Sequence, residues 1–190
     1  MQAKFGLSLS NRAALFGWAT IEDLLEAAQT AEESGYFYGV WVGDNFLSKP
    51  RIDSIVTLAA IATRTKQVKL GTICMATFPL GHPVQLAIQW ASLDVLSQGR
   101  TILGVCSGGS AQFGPLYAQE LEVMGVASNE RIGRLIEGVT ILRNLWSKDK
   151  VTHRGKYHTF VDVDMLPKPA QEPLPIFIAA TPEKVKRAKR

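Results

Sequence analysis

Between Val68 and Gly104 the chain reads VKLGTICMATFPLGHPVQLAIQWASLDVLSQGRTILG, and few folds accommodate such a run. Val68 to Met75 is apolar, rich in β-branched residues and interrupted by Gly71, the pattern of a strand buried on both faces. The period then changes. Pro83 suits a first helical position, and Leu86, Ala87, Trp90, Leu93 and Leu96 recur at spacings of three or four. Gly99 stands where a left-handed helix stop belongs. Thr101 to Cys106 returns to a continuous apolar run. Two strands joined through one helix must lie parallel, so the segment predicts a complete βαβ unit.

The same alternation extends in both directions. Lys4 to Ser10 reads as a strand, followed by a helix with a Thr20 cap, a Ser34-Gly35 stop and a buried stripe of Ile21, Leu24, Leu25, Ala28 and Ala31. Val40 to Val42 lies in a second strand, and a helix from about Ser54 to Thr63 turns Leu58, Ile61 and Ala62 inward. After the βαβ unit, SGGSAQFGPLYAQELEVMGVAS reads as a long loop, a length that in compact domains tends to carry function. The next helix is predicted to begin at an Asn129 cap and to bury Ile132, Leu135, Ile136, Val139, Leu142 and Leu145. Val151 to Phe160 reads as a hairpin and Pro175 to Ala180 as a fifth strand. Thr181, Pro182 and Glu183 provide a cap, a first position and a first-turn acid for one more helix.

Strict alternation of strands and helices predicts a parallel sheet, either doubly wound or part of a (β/α)8 barrel. No strand-to-helix turn carries a GxGxxG fingerprint; the nearest, GVCSGG at 104 to 109, lacks the spacing. A closed barrel takes roughly 250 residues. At 190 residues the chain is therefore read as a single domain, 1–190, holding an incomplete barrel of about five strands.

Composition excludes several functions. With 46% hydrophobic and 20% charged residues the chain is that of an ordinary globular protein, no apolar run approaches a membrane span, and, with a strand-like KFGLSLS close behind Met1, no secretory signal is expected. A cytoplasmic location is expected. The net charge of +4 comes from the last eight residues, and the remainder holds as many acids as bases, which argues against a nucleic-acid partner. His82, His153 and His158 lack metal-ligand spacing, so no metal is expected. Cys74 and Cys106, at the ends of buried strands, read as reduced packing thiols rather than a disulfide.

Four segments together resemble the N-terminal part of a luciferase-like, flavin-dependent monooxygenase of the bacterial luciferase superfamily. They are VWVGDN at 40 to 45, LAAIATRTKQVKLGT at 58 to 72, HPVQLAIQWASLDVLSQGRTILGV at 82 to 105, and the connector ending in LPKPAQEPLPIFIAA. The resemblance implies a (β/α)8 TIM-type barrel that binds FMN, or the deazaflavin coenzyme F420, at the C-terminal ends of its strands, often as a homodimer packed through early helices. It places Asp44 and Asn45 near the flavin ring and substrate; deazaflavin members often have His where this chain has Asn45. It places Ile73 and Cys74 at a strand-end step, often with a non-prolyl cis peptide, against the ring. Ser107, Gly108, Gly109, Arg131 and Thr181 match the positions that meet the ribityl chain and phosphate.

The expected function is an oxidoreductase in which reduced FMN and oxygen act on a small organic substrate. NAD(P)H would be the indirect reductant through a flavin reductase partner. Hydride transfer from the deazaflavin is the alternative within this class. The alternative of another class is a truncated, non-catalytic flavin-binding protein or inactive fragment.

Overall fold

A computed structural model describes residues 3–179. Five parallel strands form one sheet in the order β1 (Phe5–Leu9), β2 (Phe37–Val42), β3 (Lys69–Thr72), β4 (Thr101–Val105) and β7 (Ile176–Ile178). Helices α1 (Ile21–Glu33), α2 (Ser54–Arg64) and α3 (Pro83–Leu96) connect the first four strands. Helices α4 (Pro115–Val123) and α5 (Arg131–Ser147) follow β4, and β5 (Val151–Arg154) and β6 (Thr159–Val163) form a separate antiparallel hairpin. This is the expected α/β arrangement. Among the described residues, no helix is long and apolar enough to cross a membrane.

The local signals explain most boundaries. Thr20 and Asp23 form a reciprocal capping box on α1, Asp53 caps α2 through the Val56 N–H, and Pro83 opens α3. Gly35 and Gly99 take left-handed conformations just past their helices. The core lies between helices and sheet, where Val40, Val42, Leu70 and Leu103 meet Leu58, Ile61 and Trp90, all of them fully enclosed.

Several sequence expectations are corrected. Ile21, Leu96, Ile132 and Ile136 are exposed rather than buried. Helix α5 turns Leu135, Gly138, Ile141, Leu142 and Leu145 inward, and Ile136 stands about 100° round the helix from Leu135. Asn129 is not the cap: residues 127–130 form a turn, with the Glu130 N–H donating to the Ala127 carbonyl at 2.9 Å, and α5 starts at Arg131. Part of the long loop is the helix α4. Cys74 and Cys106 are joined in a disulfide with Cα atoms 5.8 Å apart. Read in separate strands they looked independent, but β3 and β4 are adjacent and their ends converge through a parallel bridge between Met75 and Val105.

Two buried polar nodes brace the end of the sheet at which the strands begin, and a third, partly buried, braces the hairpin. The Arg100 guanidinium, 8% exposed, donates to the carbonyls of Ala62, Thr65, Val68 and Ser97 and to the Thr65 hydroxyl, which satisfies the C-terminal end of α2. Asp94 accepts from the Gln171 backbone N–H and side-chain amide, tying the long connector to α3. Glu137 on α5 accepts from the backbone N–H groups of Lys156, Tyr157 and His158 and faces His153 Nε2 at 3.2 Å. Burial opposes its ionisation, but these donors outweigh burial and hold the carboxyl below its ordinary pKa. A depressed acid contributes stability above its unfolded pKa that disappears as pH falls through the folded one. Glu137→Gln is therefore expected to lower urea-unfolding stability by about 1–3 kcal/mol at neutral pH. The difference from the parent should narrow below the ordinary glutamate range.

Candidate functional site

The C-terminal ends of β2, β3 and β4 open into one mouth. β2 ends at Val42 and leads into Gly43, Asp44 and Asn45; β3 leads into Ile73 and Cys74; β4 leads into Cys106, Ser107, Gly108 and Gly109. A cavity of about 420 Å³ lies among these ends, lined by Asp44, Asn45, Arg51, Cys74, Gly108 and Tyr117. Beside it is an apolar cavity of about 250 Å³ with Trp41, Thr72, Ile73, Gly104, Phe177 and Ile178 in its wall. A third, of about 540 Å³, is mixed in character, with Phe113 beside Ser110, Gln112, Ser128, Asn129 and Arg131.

Asp44 is buried at 8% exposure. Its Oδ2 accepts from the Thr77 N–H at 2.8 Å and the Thr77 hydroxyl at 2.6 Å, and its Oδ1 accepts from the Ser54 hydroxyl at 2.9 Å. Burial pushes its pKa up, the Thr77 and Ser54 donors pull against that rise, and Asp53 adds to it. The balance leaves a carboxyl that holds a proton more readily than an exposed aspartate. Asn45 is half-buried and its Oδ1 accepts from the Ser48 hydroxyl at 3.0 Å.

Ile73 projects from the wall at 61% exposure, and the Ile73–Cys74 peptide is cis, the feature the resemblance implied at this step. Gly108 has φ 64° and approaches β3 closely: a Cβ there would lie 2.5 Å from the Ala76 carbonyl oxygen. The turn can therefore be made only by glycine. Arg131, at the start of α5, closes this loop from above. Its Nη1 donates to the Ser107 and Gly108 carbonyls at 2.8 Å each, and its Nε to the Ser128 carbonyl at 2.9 Å. Partial burial lowers its pKa without discharging a guanidinium. The pairing with Glu130 or Glu137 that a helix-face reading allows is not made; those acids bind Arg134 and His153 instead.

Eight of the nine sequence-selected residues thus lie at one end of the sheet: Asp44, Asn45, Ile73, Cys74, Ser107, Gly108 and Gly109 around the mouth, and Arg131 over its polar side. Thr181 lies outside the described residues. Sequence reasoning missed the carboxylate that shapes the β2 loop. Glu120 on α4, 4% exposed, accepts from the Leu47 and Ser48 N–H groups at 2.7 and 3.0 Å and from the Ser48 hydroxyl. The available signal was an acid inside the apolar-spaced segment LYAQELEVM. His82, set aside in the sequence only as a metal ligand, lines a further cavity with Asp44, and its ring meets the His158 ring edge-on at 5.0 Å. Among the described residues no three His, Cys, Asp or Glu side chains gather as a metal site.

A sheet of parallel strands with polar groups collected at its C-terminal ends is the arrangement of a barrel-type α/β protein whose site lies at that face. Residues 3–189 match the family described as luciferase-like monooxygenase, and the chain belongs to that family. It is 36% identical to the F420-dependent glucose-6-phosphate dehydrogenase of Amycolatopsis mediterranei, over 83% of this chain and 47% of that protein. It is 30% identical to the oxygenase component of the flavin-dependent trigonelline monooxygenase of Acinetobacter baylyi, over 84% and 43%. Among solved structures, monooxygenase RslO1 from Streptomyces bottropensis superposes with a TM-score of 0.83 at 31% identity, over 98% of this chain and 56% of that one. Flavin-dependent and F420-dependent enzymes both stand among its relatives, and the chain spans about half the length of the curated relatives it matches.

Proposed function

We propose that the mouth binds reduced FMN and that the chain belongs to an oxygen-dependent monooxygenase acting on a small organic substrate. The observation that carries this reading is the convergence of an apolar wall, a buried carboxyl and an arginine-closed glycine loop on one opening. These groups fit the cofactor: Ile73, Cys74 and Trp41 offer apolar surface to a flat ring system, while Ser107, Gly108, Gly109 and Arg131 offer donors and charge to a phosphate-bearing tail. Thr181 is assigned to the phosphate end as well. When bound, reduced FMN supplies the two electrons that oxygen activation needs, and the protein supplies position and polarity.

Asp44 offers a buried carboxyl, its pKa raised by burial, beside the mouth, and Asn45 orients the substrate there. The Arg131 Nη2 carries no hydrogen bond among the described residues, so it can donate to a phosphate while Nη1 keeps the loop shut. The reductant is NAD(P)H, delivered by a separate flavin reductase; the trigonelline relative, named an oxygenase component, supports a divided system. The second reading, hydride transfer with F420, is favoured by the 36% identity to an F420-dependent dehydrogenase, and Asn45 weighs against it.

Fluorescence titration with FMN and with F420 separates the readings. FMN is expected to bind more tightly. Arg131→Ala should weaken that binding about tenfold to a hundredfold, as removal of a charge-assisted bond does, with Arg131→Lys between the two. Tighter binding of F420 selects the hydride-transfer reading. A folded chain that binds neither belongs to the non-catalytic alternative.

A further inference from the structure

The Cys74–Cys106 disulfide stands in the wall of the mouth cavity, together with Asp44, Asn45 and Gly108. Three observations set it apart from a brace. Both cysteines are only half-buried, and Cys74 borders the apolar cavity as well as the mouth. The strand ends are already paired without the sulfurs: the Met75 N–H donates to the Gly104 carbonyl at 2.6 Å, the Cys106 N–H to the Met75 carbonyl at 3.3 Å, and the Thr72 hydroxyl to the Gly104 carbonyl at 2.7 Å. Thiols released by reduction therefore stay side by side, held by the backbone, and the bond can close again. Finally, Lys49 and Arg51 line the same cavity, and nearby positive charge stabilises the thiolate that thiol–disulfide chemistry passes through.

The structure assigns Cys74 and Cys106 as a redox-active dithiol–disulfide couple that accepts two electrons from the reduced cofactor held in the mouth. The assignment rests on the cofactor reading given above. The reduced flavin or deazaflavin gives up a hydride equivalent, two electrons with one proton, and becomes oxidised. The sulfur–sulfur bond breaks, both electrons end on the sulfurs, and one more proton from solvent leaves two thiols. Run backwards, the dithiol closes to the disulfide and reduces the oxidised cofactor. The couple thus gives the site an electron acceptor within the chain, on the wall that the substrate must also approach.

The test mixes the oxidised full chain without air with photoreduced FMN and, separately, with reduced F420. Cofactor oxidation is followed by absorbance, and the cysteines are read by iodoacetamide labelling and mass. Binding of the oxidised cofactors is measured independently by fluorescence. The expected result is oxidation of one cofactor per chain with labelling of both cysteines, and no oxidation by Cys74→Ser or Cys106→Ser. If a cofactor binds and both cysteines stay unlabelled, the couple is overturned while the cofactor reading stands. If neither cofactor binds, both are overturned. Oxidation by the folded serine variants at the parent rate also overturns the couple, and the labelling of the parent chain decides the matter if those variants do not fold.

Discussion

Gly104→Ala is expected to abolish soluble native protein or, if some folds, to lower its unfolding free energy by about 3 kcal/mol or more, beyond ordinary overpacking. A Cβ on Gly104 would lie 2.1 Å from the Thr72 carbonyl oxygen, a backbone atom of the neighbouring strand that has no rotamer through which to escape. The position is buried, and its own carbonyl receives the Thr72 hydroxyl and the Met75 N–H. β3 and β4 would have to separate, and with them the two strand ends that carry Cys74 and Ser107. Domain stabilities are only about 5–15 kcal/mol, so such a loss removes much of the reserve. Gly81→Ala is the matched control: nothing lies within 4 Å of its added Cβ, and the exposed site should change by no more than about 0.5 kcal/mol. Soluble yield and urea midpoints compare the two, and a near-native midpoint for Gly104→Ala would show that the strands can part locally.

Asp44→Ala should cost about 2 kcal/mol of stability while disabling the mouth, because it strands three donors at once. The Thr77 N–H, the Thr77 hydroxyl and the Ser54 hydroxyl all lose their acceptor, and Thr77 and Ser54 are buried at 8% and 1% exposure. Water reaches such groups poorly. The companion substitution Asp44→Asn isolates the charge. Because the folded pKa of Asp44 is raised, the native state holds its proton longer than the unfolded chain, so its contribution is complete below the unfolded pKa and is lost as pH rises through the folded value. Relative to Asp44→Asn, the parent should lose stability across that window, which opens at the ordinary aspartate range and extends upward. Denaturant midpoints taken along a pH series check this, and a parent that gains stability with pH against Asp44→Asn would reverse the assignment.

The two positions also mark where the sequence was informative. Caps and stops at Thr20, Pro83 and Gly99 are local chemistry, and the elements they bound were legible because each signal acts within one helical turn. Asp44 was legible for a related reason: a carboxylate directly after an apolar strand has few packing roles. What stayed hidden depends on neighbours distant in the chain. Glu120 serves residues 72 and 73 positions away, and Cys106 meets a cysteine 32 positions back, so neither partner could be seen in a linear pattern. Leu96 and Ile136 fit a helical stripe as well as their buried neighbours did. Only the packing of α3 against α5 and the sheet decides which apolar face turns inward.

Arg100, at the opposite end of the sheet from the mouth, gives the molecule a division of labour. Its guanidinium is bound to three successive parts of the chain and lies away from every strand end that carries Asp44, Cys74 or Gly108. Burial lowers its pKa, and the charge of Glu32 offsets part of that effect. The groups that line the mouth make no direct contact with this anchor. Such a molecule is suited to diversification: libraries confined to 45–49 and 110–113, which spare the Gly108 turn, can explore new chemistry on a scaffold whose tolerance is set elsewhere, and a second substitution near Arg100 would reveal how much of that tolerance remains.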